Sequence, residues 1–213
     1  LQFLALATAM ALLSCSSDDE TAVVAPVLSF NDVNLETPFF TEGATETPSL
    51  EWNGAVGTLS LDGQIQGVSL DATDGTIEWD KSLPLGLNDV KVVATNSAGT
   101  NAVTIQIDNQ FTGDFIGGYN TDPESELLSY DFELKFNADG TMNVMDGGEA
   151  IASGTWSLSG TTFTSVYTYN SSGTYSLIMD IIHSDTEARI EGYWYDGDNP
   201  AAGNERGFIK LDL

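Results

Sequence analysis

From Val23 to Leu213, apolar and polar residues alternate in short runs that Gly, Asn, Asp and Ser cut at close intervals. A period of two places successive side chains on opposite faces of an extended chain, so this pattern opposes amphipathic helices and demands sheets with one dry face. Tyr130-Asp131-Phe132-Glu133-Leu134-Lys135-Phe136 is the clearest case, with aromatic and aliphatic residues on one face and every charge on the other. Frequent Thr, Val, Ile, Tyr and Trp agree with the pattern, and the expected class is all-β.

The pattern changes near Asp108-Asn109-Gln110, which predicts two modules, 26–108 and 109–213. In the first, strands are expected near Val23–Phe30, Ser49–Trp52, Thr58–Leu61, Val68–Leu70, Thr76–Trp79, Asp89–Thr95 and Ala102–Ile107, a number that fits a β-sandwich. Either Trp52 or Trp79 supplies its bulky core anchor. The second opens on the run Phe111–Tyr119 and continues with strands expected near Tyr130–Phe136, Thr141–Met145, Ala150–Leu158, Thr162–Tyr169, Thr174–Ile182, Ala188–Tyr195 and Gly207–Leu213, about eight in all. Consecutive hairpins of this kind close into a small up-and-down barrel, which removes exposed edges. Phe132, Phe136, Trp156, Phe163, Tyr167, Tyr175 and Trp194 all compete for the interior, which predicts a filled or shallow barrel.

Motifs sharpen both expectations. The succession Leu83-Pro84-Leu85-Gly86-Leu87-Asn88, Val90–Asn96, Ser97-Ala98-Gly99-Thr100 and Val103–Ile107 resembles the closing strands of bacterial immunoglobulin-like domains. Phe136-Asn137-Ala138-Asp139-Gly140-Thr141, followed by Gly154-Thr155-Trp156-Ser157-Leu158, resembles the lipocalin-like domains of bacterial lipoproteins. That second likeness covers most of residues 111–213 and implies an eight-stranded barrel able to hold one small ligand.

The N-terminus carries an address. Residues 1–14 form an uncharged apolar run too short to span a bilayer, which takes about 20 residues. It ends at Leu12-Leu13-Ser14-Cys15, which resembles the lipobox of bacterial lipoproteins and implies cleavage before Cys15 and lipidation of that cysteine. A start Met and a basic segment are expected upstream of Leu1. Residues 15–25 read as the lipidated Cys and an acidic tether, and Ser16-Ser17-Asp18-Asp19-Glu20 resembles the export signal of Bacteroidota surface lipoproteins. The implied location is the outer membrane, lipid-anchored, facing the cell exterior, with a solvated linker as the plainer reading of the same acidic residues.

Charge excludes several functions. With 32 Asp+Glu against 6 Lys+Arg the net charge is −26, a surface that repels nucleic acid and anionic headgroups. One Cys and one His leave no set for a Cys/His zinc cluster or an internal disulfide. His183, at a strand end beside Ser184 and Asp185, reads as a turn or rim residue. Asp71-Ala72-Thr73-Asp74-Gly75 and Asp196-Gly197-Asp198-Asn199 offer hard oxygen ligands suited to Ca²⁺, but neither has EF-hand spacing and loop solvation is the plainer reading. No resident cofactor is expected.

The strongest ligand signal is Tyr193-Trp194-Tyr195 beside Asp196 and Asp198. If Trp194 faces inward, Tyr193 and Tyr195 form an exterior pair next to carboxylates, a composition that stacks on sugar rings or engages a protein. The expected function is a non-enzymatic binding or adhesion module for a glycan, a small apolar ligand or a protein partner. The alternatives are a carboxylate-dependent polysaccharide hydrolase and a purely structural envelope component.

Overall fold

The computed structural model describes residues 22–170 and 173–213, so Cys15 and the acidic residues of the tether fall outside the described region. Every element in it is a strand. The first module contains β1 (Val27–Ser29), β2 (Asn34–Pro38), β3 (Gly43–Ala44), β4 (Ser49–Glu51), β5 (Thr58–Leu61), β6 (Val68–Leu70), β7 (Ile77–Trp79), β8 (Gly86–Asn96) and β9 (Gly99–Gln110). The second contains β10 (Gly113–Tyr119), β11 (Tyr130–Phe136), β12 (Thr141–Asp146), β13 (Glu149–Ser159), β14 (Thr162–Tyr169), β15 (Thr174–His183), β16 (Ala188–Asp196) and β17 (Gly207–Asp212).

The first module is a sandwich. One sheet runs β2-β9-β8-β5, and facing it are the three-stranded β3-β7-β6 and the two-stranded β1-β4. Alternation in the long β8–β9 hairpin sends Val90, Val92 and Ala94, with Ile105 and Ile107, into a core shared with Leu28, Leu59, Ile77, Trp79 and Leu83. Trp79 is thus the core anchor and Trp52 packs at its margin. The hairpin turn is held by Asn96, whose Oδ1 accepts from the amides of Ala98 and Gly99. β2, which pairs parallel with β9, carries one Pro at its last position, where a missing amide donor costs the ladder least.

Two boundaries differ from the expected ones. Val24 already donates to the Asn53 carbonyl at 3.1 Å, so the sandwich begins within the segment read as tether. At the other end β9 continues to Gln110, because residues up to Gln110 are paired with β2 and up to Asn109 with β8. Only Phe111 and Thr112 separate β9 from β10.

The second module is a closed antiparallel barrel in simple sequence order, β10 to β17, sealed by β17 against β10. Its inward positions carry Phe115, Leu134, Phe136, Met142, Val144, Phe163, Leu177, Met179, Ile190 and Leu211, all nearly inaccessible to solvent. The motif Phe136–Thr141 makes the β11–β12 turn: Gly140 takes a left-handed φ of 81°, and Asp139 accepts from the amide and hydroxyl of Thr141. Inward-facing Gly154 and Gly192 permit tight curvature, since a Cβ at either would run into the carbonyl of the neighbouring strand.

One end of the barrel is plugged from the sandwich. Phe39, just after β2, is 3% exposed and lies 5.4 Å from the Phe111 ring and 6.4 Å from Phe115, centroid to centroid. Phe136, Phe163 and Trp156 complete this aromatic floor. His183 sits at the same rim, its ring edge-on to Phe39 at 5.2 Å.

Candidate functional site

The opposite end of the barrel is open. There β10 ends, β11 begins, β14 ends, β15 begins and β16 ends, and each strand contributes an inward aromatic residue at that level: Tyr119, Phe132, Tyr167 with Tyr169, Tyr175, and Trp194. Together with Thr121 and Ile209 they line a cavity of about 180 Å³. The barrel is therefore shallow, closed below by packed side chains and hollow at its mouth, with Tyr130 extending the wall by stacking on Tyr119 at 5.1 Å.

The rings stand at steep angles to one another. Tyr119 is perpendicular to Trp194 (90°), Tyr169 to Tyr175 (85°), and Tyr175 is inclined to Trp194 by 64°, so these rings form walls. Tyr167 and Tyr175 lie near-parallel, 5.9 Å apart, as Tyr119 and Tyr130 do.

Trp194 is fixed by its own polar edge. Its Nε1 donates to the Asn120 carbonyl at 2.8 Å, a contact that requires glycine at position 207, where a Cβ would overlap both the indole nitrogen and that carbonyl. Asn120 is itself buried and ties the mouth together: its Oδ1 accepts from the amides of Phe208 and Asp122, and its Nδ2 donates to the carbonyls of Ser125 and Leu127. The loop between β10 and β11 is thereby held against the barrel rim.

The hydroxyls of Tyr119, Tyr167, Tyr169 and Tyr175 form no hydrogen bond with other described residues, which leaves them to the cavity and to solvent. Burial pushes the phenols of Tyr119, Tyr167 and Tyr169 above their ordinary acidity range, most of all Tyr167, and neighbouring tyrosines add to the shift. The site is thus aromatic and hydroxyl-bearing.

Residues singled out in the sequence divide between this site and the outer wall. Trp194 faces inward and lines the cavity, on the face opposite Tyr193 and Tyr195. Tyr193 and Tyr195 both face outward, but only Tyr193 is accessible; Tyr195 is 4% exposed. The segment from Asp196 to Glu205 folds back over it, and Glu205, which accepts from the Gly203 amide, reaches the Tyr195 hydroxyl. The expected exterior tyrosine pair is therefore absent, because strand parity fixes only the side a residue faces and not what covers it. Asp196 pairs with Arg206 at 2.7 Å, and Asp198 borders a separate groove on the outer wall with Asn199, Pro200 and Thr164.

The acidic loops serve local geometry. Asp71 Oδ1 accepts from the Thr73 amide at 2.7 Å and Asp74 Oδ1 from the Thr76 amide at 2.9 Å. Among the described residues no three or more Asp, Glu, His or Cys side chains converge as a metal site. Asp71, Asp139 and Glu205 are held below the usual carboxylate range, by the Thr73 amide, the Thr141 hydroxyl and nearby backbone amides respectively. A general acid for glycoside hydrolysis needs the opposite shift.

Tyr119, Tyr130 and Tyr169 carry no local motif that marks them as lining residues. The available signal is positional, since each lies at a strand end that the hairpin order brings to the same rim. Scans against protein-family models and against curated proteins find no match for this chain.

Proposed function

We propose that the chain is a lipid-anchored lipoprotein of the bacterial outer membrane, facing the cell exterior, whose terminal barrel binds a small ligand at its open mouth without catalysing a reaction. The anchoring part of this reading rests on Leu12–Cys15 and the acidic residues that follow it. The binding part rests on one observation: a solvent-facing cavity of about 180 Å³ walled by aromatic rings, four of them tyrosines whose hydroxyls form no hydrogen bond with other described residues.

Size limits the occupant. A cavity of about 150 Å³ accepts a benzene-sized molecule, whereas drug-sized ligands occupy about 300 Å³ or more. The mouth therefore takes one ring or one compact head group, and a larger molecule would present only its end. A protein or glycan partner would bind by inserting such a terminus.

The test is a small-ligand screen by calorimetry and tryptophan fluorescence on the purified chain and on Trp194→Phe. Binding whose fluorescence response disappears in Trp194→Phe supports the mouth as the site. A response retained in that variant, or no binding by any single-ring or compact head-group compound at millimolar concentration, refutes it.

A further inference from the structure

We propose that the occupant of the mouth cavity is an organic cation, a quaternary or methylated ammonium head held in an aromatic cage. The inference rests on the mouth being a ligand site and adds its chemical class. The negative faces of Trp, Tyr and Phe attract a cation within about 6 Å of a ring centroid, and several rings set at angles surround such a head on more than one side. Six aromatic residues bound this cavity, and the steep angles among Tyr119, Trp194, Tyr175 and Tyr169 make them walls around a central space. A trimethylammonium head is comparable in bulk to benzene, which suits a cavity of about 180 Å³.

Charge points the same way through a separate feature. A groove of about 530 Å³ opens beside the cavity and shares Tyr119, Phe132 and Tyr169 with it. It exists because β12 pairs with β11 only from Glu133 to Phe136, which leaves the first part of β11 without a neighbour on that side. Asp131, Glu133 and Asp146 line this groove, Asp131 and Glu133 from the outward face of β11 opposite Phe132, where carboxylates beside the mouth would draw a cation towards it and the rest of the ligand would have room to lie. None of the chain's six Lys and Arg side chains lines the cavity or the groove. With a net charge of −26 the surrounding field also draws cations and repels anions.

Choline and its uncharged isostere 3,3-dimethylbutan-1-ol separate charge from shape. Calorimetric titration of the full chain is expected to show choline binding at least about tenfold more tightly than the isostere, and weakening several-fold between about 20 and 500 mM salt. Tyr175→Leu is expected to weaken choline about tenfold. Asp131→Asn with Glu133→Gln changes accessible groove positions and is expected to weaken choline by about threefold or more, leaving the isostere unchanged. Equal affinity for the two compounds overturns the cation assignment while supporting a ligand cavity. Binding of neither overturns both. Choline affinity indifferent to salt and to the double variant overturns the assignment of the groove carboxylates.

Discussion

At the scale of single residues, the mouth couples ligand chemistry to stability through its phenols. Tyr167 is deeply buried and its phenol is held far above the ordinary value of 10.0; Tyr119, Tyr169 and Tyr195 shift the same way, all chiefly through burial. The unfolded chain releases these protons near pH 10 and the folded chain at higher pH. Stability from this source is therefore complete below pH 10 and falls as pH rises beyond it. Alkaline titration followed by near-ultraviolet phenolate absorbance and by circular dichroism is expected to show the buried phenols ionising together with loss of the fold. Tyr167→Phe should move that transition to higher pH, and an unmoved transition would contradict the role given to Tyr167. The interior assignment of Phe132, Tyr167, Tyr175 and Trp194 was legible from parity alone. Their meeting at one rim was not, because it depends on how far each strand runs before it turns.

At the scale of elements, all eight barrel strands could be read from the sequence, since each has its own alternation and its own turn residues. β2 and β3 could not. Asn34–Pro38 holds three polar residues, a Pro and a single Leu, and Gly43–Ala44 is too short to show a period; both are strands only because β9 and β7 offer them partners. The Phe39 plug is invisible for the same reason, as its burial comes from a barrel that begins more than seventy residues later. Phe40 takes a positive φ of 59°, a strained setting for a bulky residue, and its ring lies under the Lys81 ammonium at 4.7 Å. Phe39→Ala is expected to cost about 3–5 kcal/mol, the range for removing a buried phenylalanine. Scanning calorimetry should then resolve separate sandwich and barrel transitions in place of one. A loss below about 1 kcal/mol with a single transition would show that the plug does not join the modules.

At the scale of the whole molecule, composition decides behaviour in solution. The ion pairs among the described residues, such as Lys91 with Asp62 and Lys135 with Asp114, are mostly solvent-exposed and contribute little individually. They leave the net charge of −26 as a diffuse repulsive load on the fold. Raising salt from about 10 to about 500 mM shortens the screening length from roughly 30 Å to a few Å and is expected to raise Tm by about 3–6 °C. A Tm that ignores salt would mean that the charges are spaced too widely to matter. This load was fully legible in the sequence, since it depends on counts and not on contacts.

The joint between the modules also has a mechanical meaning. Phe111 is one of only two linking residues and is itself embedded in the plugged end of the barrel, 2% exposed. The joint has no slack to pay out, so a pull or twist applied at the mouth passes into β9 and across the sandwich without first being absorbed by a swivelling linker. A molecule captured by the rim would drag on the far end of a stiff lever, and the length of that lever, more than the strength of the grip, would set the torque felt at the other end.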